Sequence, residues 1–317
     1  LRRRLIAERD PAEVELAKRG EASPNIFDDA LKQALVHFQA RHGIEPDGAL
    51  SGATLGELNA PVSQKIADLK LNMDRWRWLP RDLGDLYVMV NVAGFELEVV
   101  ENDSAILAMN VVVGKDASRT AIFRDTMENI VINPYWNVPA NIQKNELIPA
   151  VQRDPSYLDR NNFEVLRGNR RISPSEIDFR TIRSGGYSFR QKPGRGNALG
   201  QVKFLFPNQA DIYLHDTPAQ NLFSQRSRAF SHGCIRVEKP VELAKLIMEK
   251  ATDRPPEQYE QLRARPGEQW IRLTRRIPVY ILYFTAYADR EGSVRFHPDI
   301  YERDRLLEGK VAPRRTT

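Results

Sequence analysis

At 317 residues the chain has room for two domains and a full hydrophobic core. Its 47 basic residues are interspersed with 42 acidic ones, so the formal net charge of +5 comes without the dense basic block that marks nucleic-acid binders, while anionic partners remain open. No stretch approaches the roughly 18 apolar residues of a membrane span. The start, Leu1-Arg2-Arg3-Arg4 without a methionine, reads as a fragment whose targeting segment has been removed, which takes away any argument for the cytoplasm.

In chain order, Leu31, Ala34, Leu35 and Phe38 recur at helical spacing and form one apolar stripe. Gly43, after Arg41-His42, suits a left-handed helix cap, and His37 and His42 are expected at the surface. Asp47-Gly48 signals a turn, and Thr54, Leu55 and Leu58 predict a second short helix before Asn59-Ala60-Pro61. Residues 1–60 therefore read as a small helical domain, followed over 61–84 by a bridging helix and linker. On that helix Val62, Ile66, Leu69, Met73 and Trp76 share a stripe, which predicts packing along its length. Trp76 and Trp78 are expected to anchor a core, the alternative being exposed rings for stacking on sugars.

From Leu86 the period becomes two. Tyr87–Val92 and Phe95–Val100 flank Ala93-Gly94 as a hairpin, and Ala105–Val113 and Glu128–Asn133 are further strands. Ala198–Phe206, Ile212–His215 and Arg272–Ala286 continue the pattern around a helix at Pro240–Lys250. Many short strands with one late helix predict an α+β chain with a β-rich domain over 85–301, not a βαβ fold. Between 139 and 196 the periodicity breaks down among Arg, Asn, Asp and Pro, with Asn161-Asn162, Ser173-Pro174 and Gly185-Gly186 as turn signals. A connection of that length inside a compact domain is uncommon unless it is functional. Residues 302–317 read as a charged C-terminal tail that frays.

The chemistry concentrates in Ser231-His232-Gly233-Cys234-Ile235-Arg236, which holds the only cysteine. A lone thiol excludes an internal disulfide and a C-x-x-C motif, and leaves either a buried packing sulfur or a reactive one. His232 beside it, and His215-Asp216 after the apolar run Ile212-Tyr213-Leu214, supply imidazoles that can turn a thiol into a nucleophile. Zinc held by His215, His232 and Cys234 is a weaker alternative, because no fourth ligand or H-E-x-x-H pattern accompanies them.

His215, fifteen residues, then Ser-His-Gly-Cys-x-Arg resembles the signature of the L,D-transpeptidases, cell-wall cross-linking enzymes with a YkuD-type catalytic domain. Arg75-Trp76-Arg77-Trp78-Leu79-Pro80, Tyr135-Trp136-Asn137-Val138-Pro139 and Leu214-His215-Asp216-Thr217-Pro218 resemble in particular its YcbB-like branch. The resemblance implies Cys234 as nucleophile, His215 as base, the backbone carbonyl of Asp216 as the third member, and His232 with Gly233 shaping the oxyanion region. It further implies substrate contacts from Tyr213, Ser231, Arg236 and Trp136. Many relatives carry Asn at the position of Arg236. Residues 1–60 would be an all-α peptidoglycan-binding domain and 139–196 a capping lid subdomain, with a plain solvated insertion as the alternative. The expected partners are peptidoglycan stem peptides as donor and acceptor, with carbapenem β-lactams as covalent inhibitors and no nucleic acid. No cofactor and no metal are expected. The protein would be exported to the periplasm, with a possible membrane anchor in the full-length form. A carboxypeptidase or endopeptidase using the same Cys–His pair, and a non-catalytic wall-binding protein, are the rival functions.

Overall fold

The computed structural model describes residues 1–308 except 9, 20–24, 180, 181, 183–185 and 291. The charged tail beyond 308 and Gly185 of the expected Gly-Gly turn therefore lie outside the described residues.

Five helices open the chain: α1 (Arg2–Glu8), α2 (Pro11–Lys18), α3 (Asp29–Arg41), α4 (Gly52–Asn59) and α5 (Val62–Trp76). Asp28 caps α3 by accepting the Leu31 N–H at 2.8 Å, and Gly43 follows it at φ +59°, a conformation that favours glycine. Ser51 caps α4 through the Thr54 N–H at 3.2 Å. Leu5, Leu31, Ala34, Leu35, Phe38 and Leu58 close a small core between these helices. Three expectations fail here. His42 is buried, because its ring stacks between Phe38 and Phe296 at centroid distances of 4.0 and 5.2 Å. On α5 the apolar stripe is the outer face: Val62, Ile66, Met73 and Trp76 are exposed, while Lys65, Leu71, Asn72 and Arg75 are buried. Hydrogen bonding overrides the apolar pattern, since Asn72 exchanges bonds with Thr285 (2.9 and 3.0 Å) and Arg75 pairs with Asp304 at 2.6 Å. Trp76 lies across Phe284 at 4.7 Å and Trp78 is exposed, so neither is a core anchor.

The β-rich part has strands β1 (Leu86–Asn91), β2 (Glu96–Glu101), β3 (Ser104–Gly114), β4 (Phe123–Ile132), β5 (Trp136–Asn137), β6 (Phe163–Arg167), β7 (Arg170–Ile172), β8 (Ser188–Gln191), β9 (Val202–Leu205), β10 (Leu214–His215), β11 (Ala229–Ser231), β12 (Ile235–Val237) and β13 (Gln269–Leu282). A hairpin, β14 (Ala286–Ala288) and β15 (Val294–Phe296), ends it. Nine strands form one sheet in the order β11-β3-β12-β10-β9-β4-β13-β1-β2. The long β3 pairs with β2 through its first half and with β12 through its second, closing the ladder on itself. Pairing is mixed: β1–β13, β10–β12 and β3–β11 are parallel, the rest antiparallel. The interior is filled by Val88, Val90, Ile130, Phe204, Leu214, Ile235 and Val279, covered by Leu243, Ile247 and Met248 of the helix Pro240–Ala251.

The stretch without periodicity is structured. β5, β8, β6 and β7 make a separate four-stranded sheet, packed under the short helical turns Ala140–Ile142, Gln143–Leu147, Ile148–Arg153 and Tyr157–Arg160. Its own core includes Val138, Ile148, Val151, Leu158, Val165 and Phe189, none of which belongs to the core of the large sheet. Elements of two to six residues are too brief to imprint a period on the sequence. The start of the expected tail is also ordered, as a helix Arg303–Glu308 tied to α5 through Asp304.

Candidate active site

β10 and β12 run side by side with Leu214 opposite Ile235 and His215 opposite Arg236. Leu214 and Ile235 point into the core, so the alternation of a strand sends Tyr213, His215, Cys234 and Arg236 to the other face. Ile235 N–H donates to the Tyr213 carbonyl at 3.1 Å, which fixes the Cys234 loop against the strand that carries His215. The Tyr213 and His215 rings are 5.6 Å apart. On the far side of β10, Lys203 of β9 sits opposite His215, so the imidazole lies in a row between a lysine and an arginine.

His215 is buried, and its Nδ1 lies 2.5 Å from the Asp216 carbonyl oxygen. That oxygen can only accept, so Nδ1 carries the proton and Nε2 keeps its lone pair. Burial lowers the His215 pKa to about 3, against the pull of the Asp216 carbonyl, and Arg236 pushes the same way as burial. The imidazole is therefore neutral at physiological pH and available as a base. The Asp216 carboxylate is held by the N–H groups of Gln201 (2.8 Å) and Thr217 (2.6 Å), so it locks the main chain whose carbonyl orients His215. Gly200, at φ +58°, leaves room for it: a Cβ there would come within 2.2 Å of Asp216 Oδ2.

The Cys234 Sγ–H donates to the Asp211 carbonyl at 3.6 Å. Burial pushes the thiol above its ordinary range, opposed by hydrogen bonding from the Tyr213 backbone and hydroxyl. The resting sulfur is thus a thiol, and ionisation waits for a base. Around it the loop is braced from within. The Ser231 hydroxyl donates to the Cys234 carbonyl at 2.5 Å and accepts the Gly233 N–H at 3.1 Å, and Ser231 itself is buried. The expected substrate contact of Ser231 gives way to this internal role. Gly233 stands at φ +118°, open to glycine, and its carbonyl accepts the buried Thr120 hydroxyl at 2.9 Å. The same Thr120 oxygen accepts the Gly114 N–H at 2.9 Å.

His232 meets Glu146 of the insertion, Nε2 to Oε1, at 2.6 Å. Arg236 is half-buried, with an Nε that has no hydrogen-bond partner among the described residues. Trp136 is half-buried on β5, packed 6.1 Å from Phe163, and so belongs to the insertion's sheet. The donor atoms of His215, His232 and Cys234 do not converge as a metal site; among the described residues the cluster that does is Asp10, Glu13 and His37, which Arg41 already neutralises at 2.7 Å from Glu13. Thr120, Asp211, Lys203 and Glu146 were invisible as site residues in the sequence. They reach the site through strand order and the insertion, Thr120 from 113 positions before Gly233 and Glu146 from 86 before His232, and no local pattern marks them.

Residues 85–281 match the family of L,D-transpeptidase catalytic domains named YkuD. The chain belongs to that family. It is 33% identical over 249 residues to a protein of Haemophilus influenzae provisionally assigned as an L,D-transpeptidase, covering 78% of this chain and 49% of the relative. The chain thus spans about half the length of that curated relative. Among solved structures it resembles the L,D-transpeptidase LdtMt1 in complex with imipenem, at 13% identity and a TM-score of 0.30, over 62% of this chain and 59% of the other. It also resembles L,D-transpeptidase 3 of Mycobacterium tuberculosis with a faropenem-derived adduct, at 10% identity and a TM-score of 0.30, over 62% and 60%.

Proposed function

We propose that this chain forms 3→3 cross-links in peptidoglycan through a thioester on Cys234. The observation that carries the reading is the neutral, buried His215, its Nδ1–H spent on the Asp216 carbonyl and its Nε2 free, on the sheet face it shares with Cys234. Nε2 takes the thiol proton as Sγ attacks the carbonyl between the third residue of a tetrapeptide donor stem and its terminal D-alanine. The C–S bond forms, the C–N bond breaks, and His215 returns the proton to the departing amine. The charge developing on the carbonyl oxygen would be met by backbone N–H groups near Cys234 and by the Tyr213 hydroxyl. Arg236, on the same face, would turn its guanidinium towards a donor carboxylate. The side-chain amine of diaminopimelate on a neighbouring stem then attacks the thioester.

Residues 1–60 would hold the enzyme on peptidoglycan and the insertion would cap the groove. The substrate lies outside the cytoplasm, so export to the periplasm accompanies this reading. The strained ring of a carbapenem would acylate Cys234 in place of the donor.

Incubation of the purified chain with disaccharide-tetrapeptide, followed by mass analysis, tests the proposal. Cross-linked dimer with release of D-alanine is expected, and none from Cys234→Ala. Tripeptide alone, with no dimer at high acceptor concentration, would mean a carboxypeptidase and overturn it.

A further inference from the structure

The contact between His232 and Glu146 joins residues 86 positions apart, one two places before the nucleophile and the other in the insertion. Glu146 sits in a single π-helical turn, Gln143–Leu147, between two short α-helical turns, a distortion that recurs at functional sites. Ile142, Leu147 and Ile148 are buried in the insertion's core on either side of it, which aims the carboxylate outward. It remains 52% exposed, and Oε2 has no hydrogen-bond partner among the described residues. Two of the other carboxylates around the site, those of Asp216 and Glu268, are committed. Asp216 is buried on two backbone N–H groups, and Glu268 takes the Tyr135 N–H at 2.6 Å beside Lys203. Asp211 meets the thiol through its main-chain carbonyl.

We infer that Glu146, held on His232, is the carboxylate of the acceptor subsite and binds the cationic primary amine that resolves the thioester. This rests on the transferase reading above. An acceptor amine arrives as an ammonium and cannot attack until it loses a proton. Glu146 Oε2 pairs with the ammonium, and the carboxylate–imidazole pair passes its first proton to solvent. The neutral nitrogen then attacks the acyl carbon; the C–N bond forms and the C–S bond breaks. The second proton moves from nitrogen to His215 Nε2 and on to the departing sulfur, which restores the thiol. Water needs no such carboxylate to enter, so Glu146 favours transfer over hydrolysis.

The test uses the intact chain with tetrapeptide donor and a stepped concentration of amine acceptor. In Glu146→Gln the acceptor KM should rise about tenfold, the value of one charge-assisted hydrogen bond. D-Alanine release without acceptor should change by less than about twofold, so the loss falls on the second half-reaction. Hydroxylamine, largely uncharged at neutral pH, should aminolyse the thioester equally in both proteins, and Glu146→Asp should recover part of the acceptor affinity. An unchanged acceptor KM overturns the inference. So does a parallel fall in D-alanine release, amine transfer and hydroxylamine transfer, which would make the contact a brace for the loop. Absence of cross-linking in the unaltered chain would instead sink the transferase reading, a result that the variant cannot mimic.

Discussion

The closed sheet buries its imidazole and half-buries its thiol, whereas the insertion displays its carboxylate. On the sheet, His215 is buried with its tautomer set by a main-chain carbonyl, and Cys234 is a thiol bonded to another main-chain carbonyl. In the insertion, Glu146 stands half-exposed and reaches the nucleophile loop through one side chain. Main-chain partners inside a paired sheet cannot rotate away, which suits a base that must meet one sulfur in every cycle. A carboxylate on a separate core can shift with its subdomain, which suits contact with a substrate that comes and goes. On the proposed reading, chemistry belongs to the first region and selection to the second.

The sharpest way to break this division is to remove the base. His215→Ala should lower turnover by about 10²–10⁴-fold, the usual worth of a positioned proton acceptor. Activity should recover in part only above the ordinary thiol range, because burial raises the Cys234 pKa. The pH–rate profile of D-alanine release checks this, with melting temperature as control. A variant that keeps near-normal turnover would mean that the proton leaves by another route.

Deleting the insertion has a smaller expected effect and tests the other half. Trp136 pairs with Gln191 and Asn137 with Arg190, so the segment leaves and re-enters the sheet side by side. Replacing residues 141–187 with a short Gly/Ser linker removes no member of the main core. Alkylation of Cys234 should persist, while transfer falls about tenfold or more and the hydrolysed share of product rises. Unchanged transfer in a folded deletion would leave the insertion without a catalytic part.

The two regions also differed in legibility. The hairpin at Ala93-Gly94, the strand reaching His215 and the helix from Pro240 announce themselves through period and turn chemistry, because each buries one face in a common core. The Cys–His pair was legible as a spacing. What held the loop was not: Thr120 bonds Gly233 from 113 positions away, and only strand order brings them together. The insertion resisted because its elements are too short for a period. On α5 the period misled, because Asn72 and Arg75 found hydrogen-bonding partners at Thr285 and Asp304 that outweighed the apolar stripe. His42 reads as a surface residue in the sequence because nothing local reveals the Phe296 ring that covers it.

The mildest perturbation, acid, sharpens the comparison without touching a residue. Burial holds both His42 and His215 at about 3, and it lowers His297 as well, whereas an unfolded histidine titrates near 6.5. Between those values the unfolded chain binds more protons than the folded one, so stability is full above about 6.5 and falls as pH drops towards 3. At pH 5 each fully shifted histidine would cost about 2 kcal/mol at ~1.4 kcal/mol per unit. The insertion, residues 136–191, contains no histidine. Amide exchange at pH 5 should therefore quicken in the helical domain and the large sheet before the insertion's β6–β8 ladder loosens. His42→Phe keeps a ring between Phe38 and Phe296 but cannot titrate, so it should flatten the acid dependence of the helical domain while leaving that of the sheet. The variant gives up the bonds of His42 to the Phe38 carbonyl and Lys65, so its stability at neutral pH should be lower even as its slope against pH is reduced. An unchanged slope would remove His42 from the account and leave the acid sensitivity to His215 and His297.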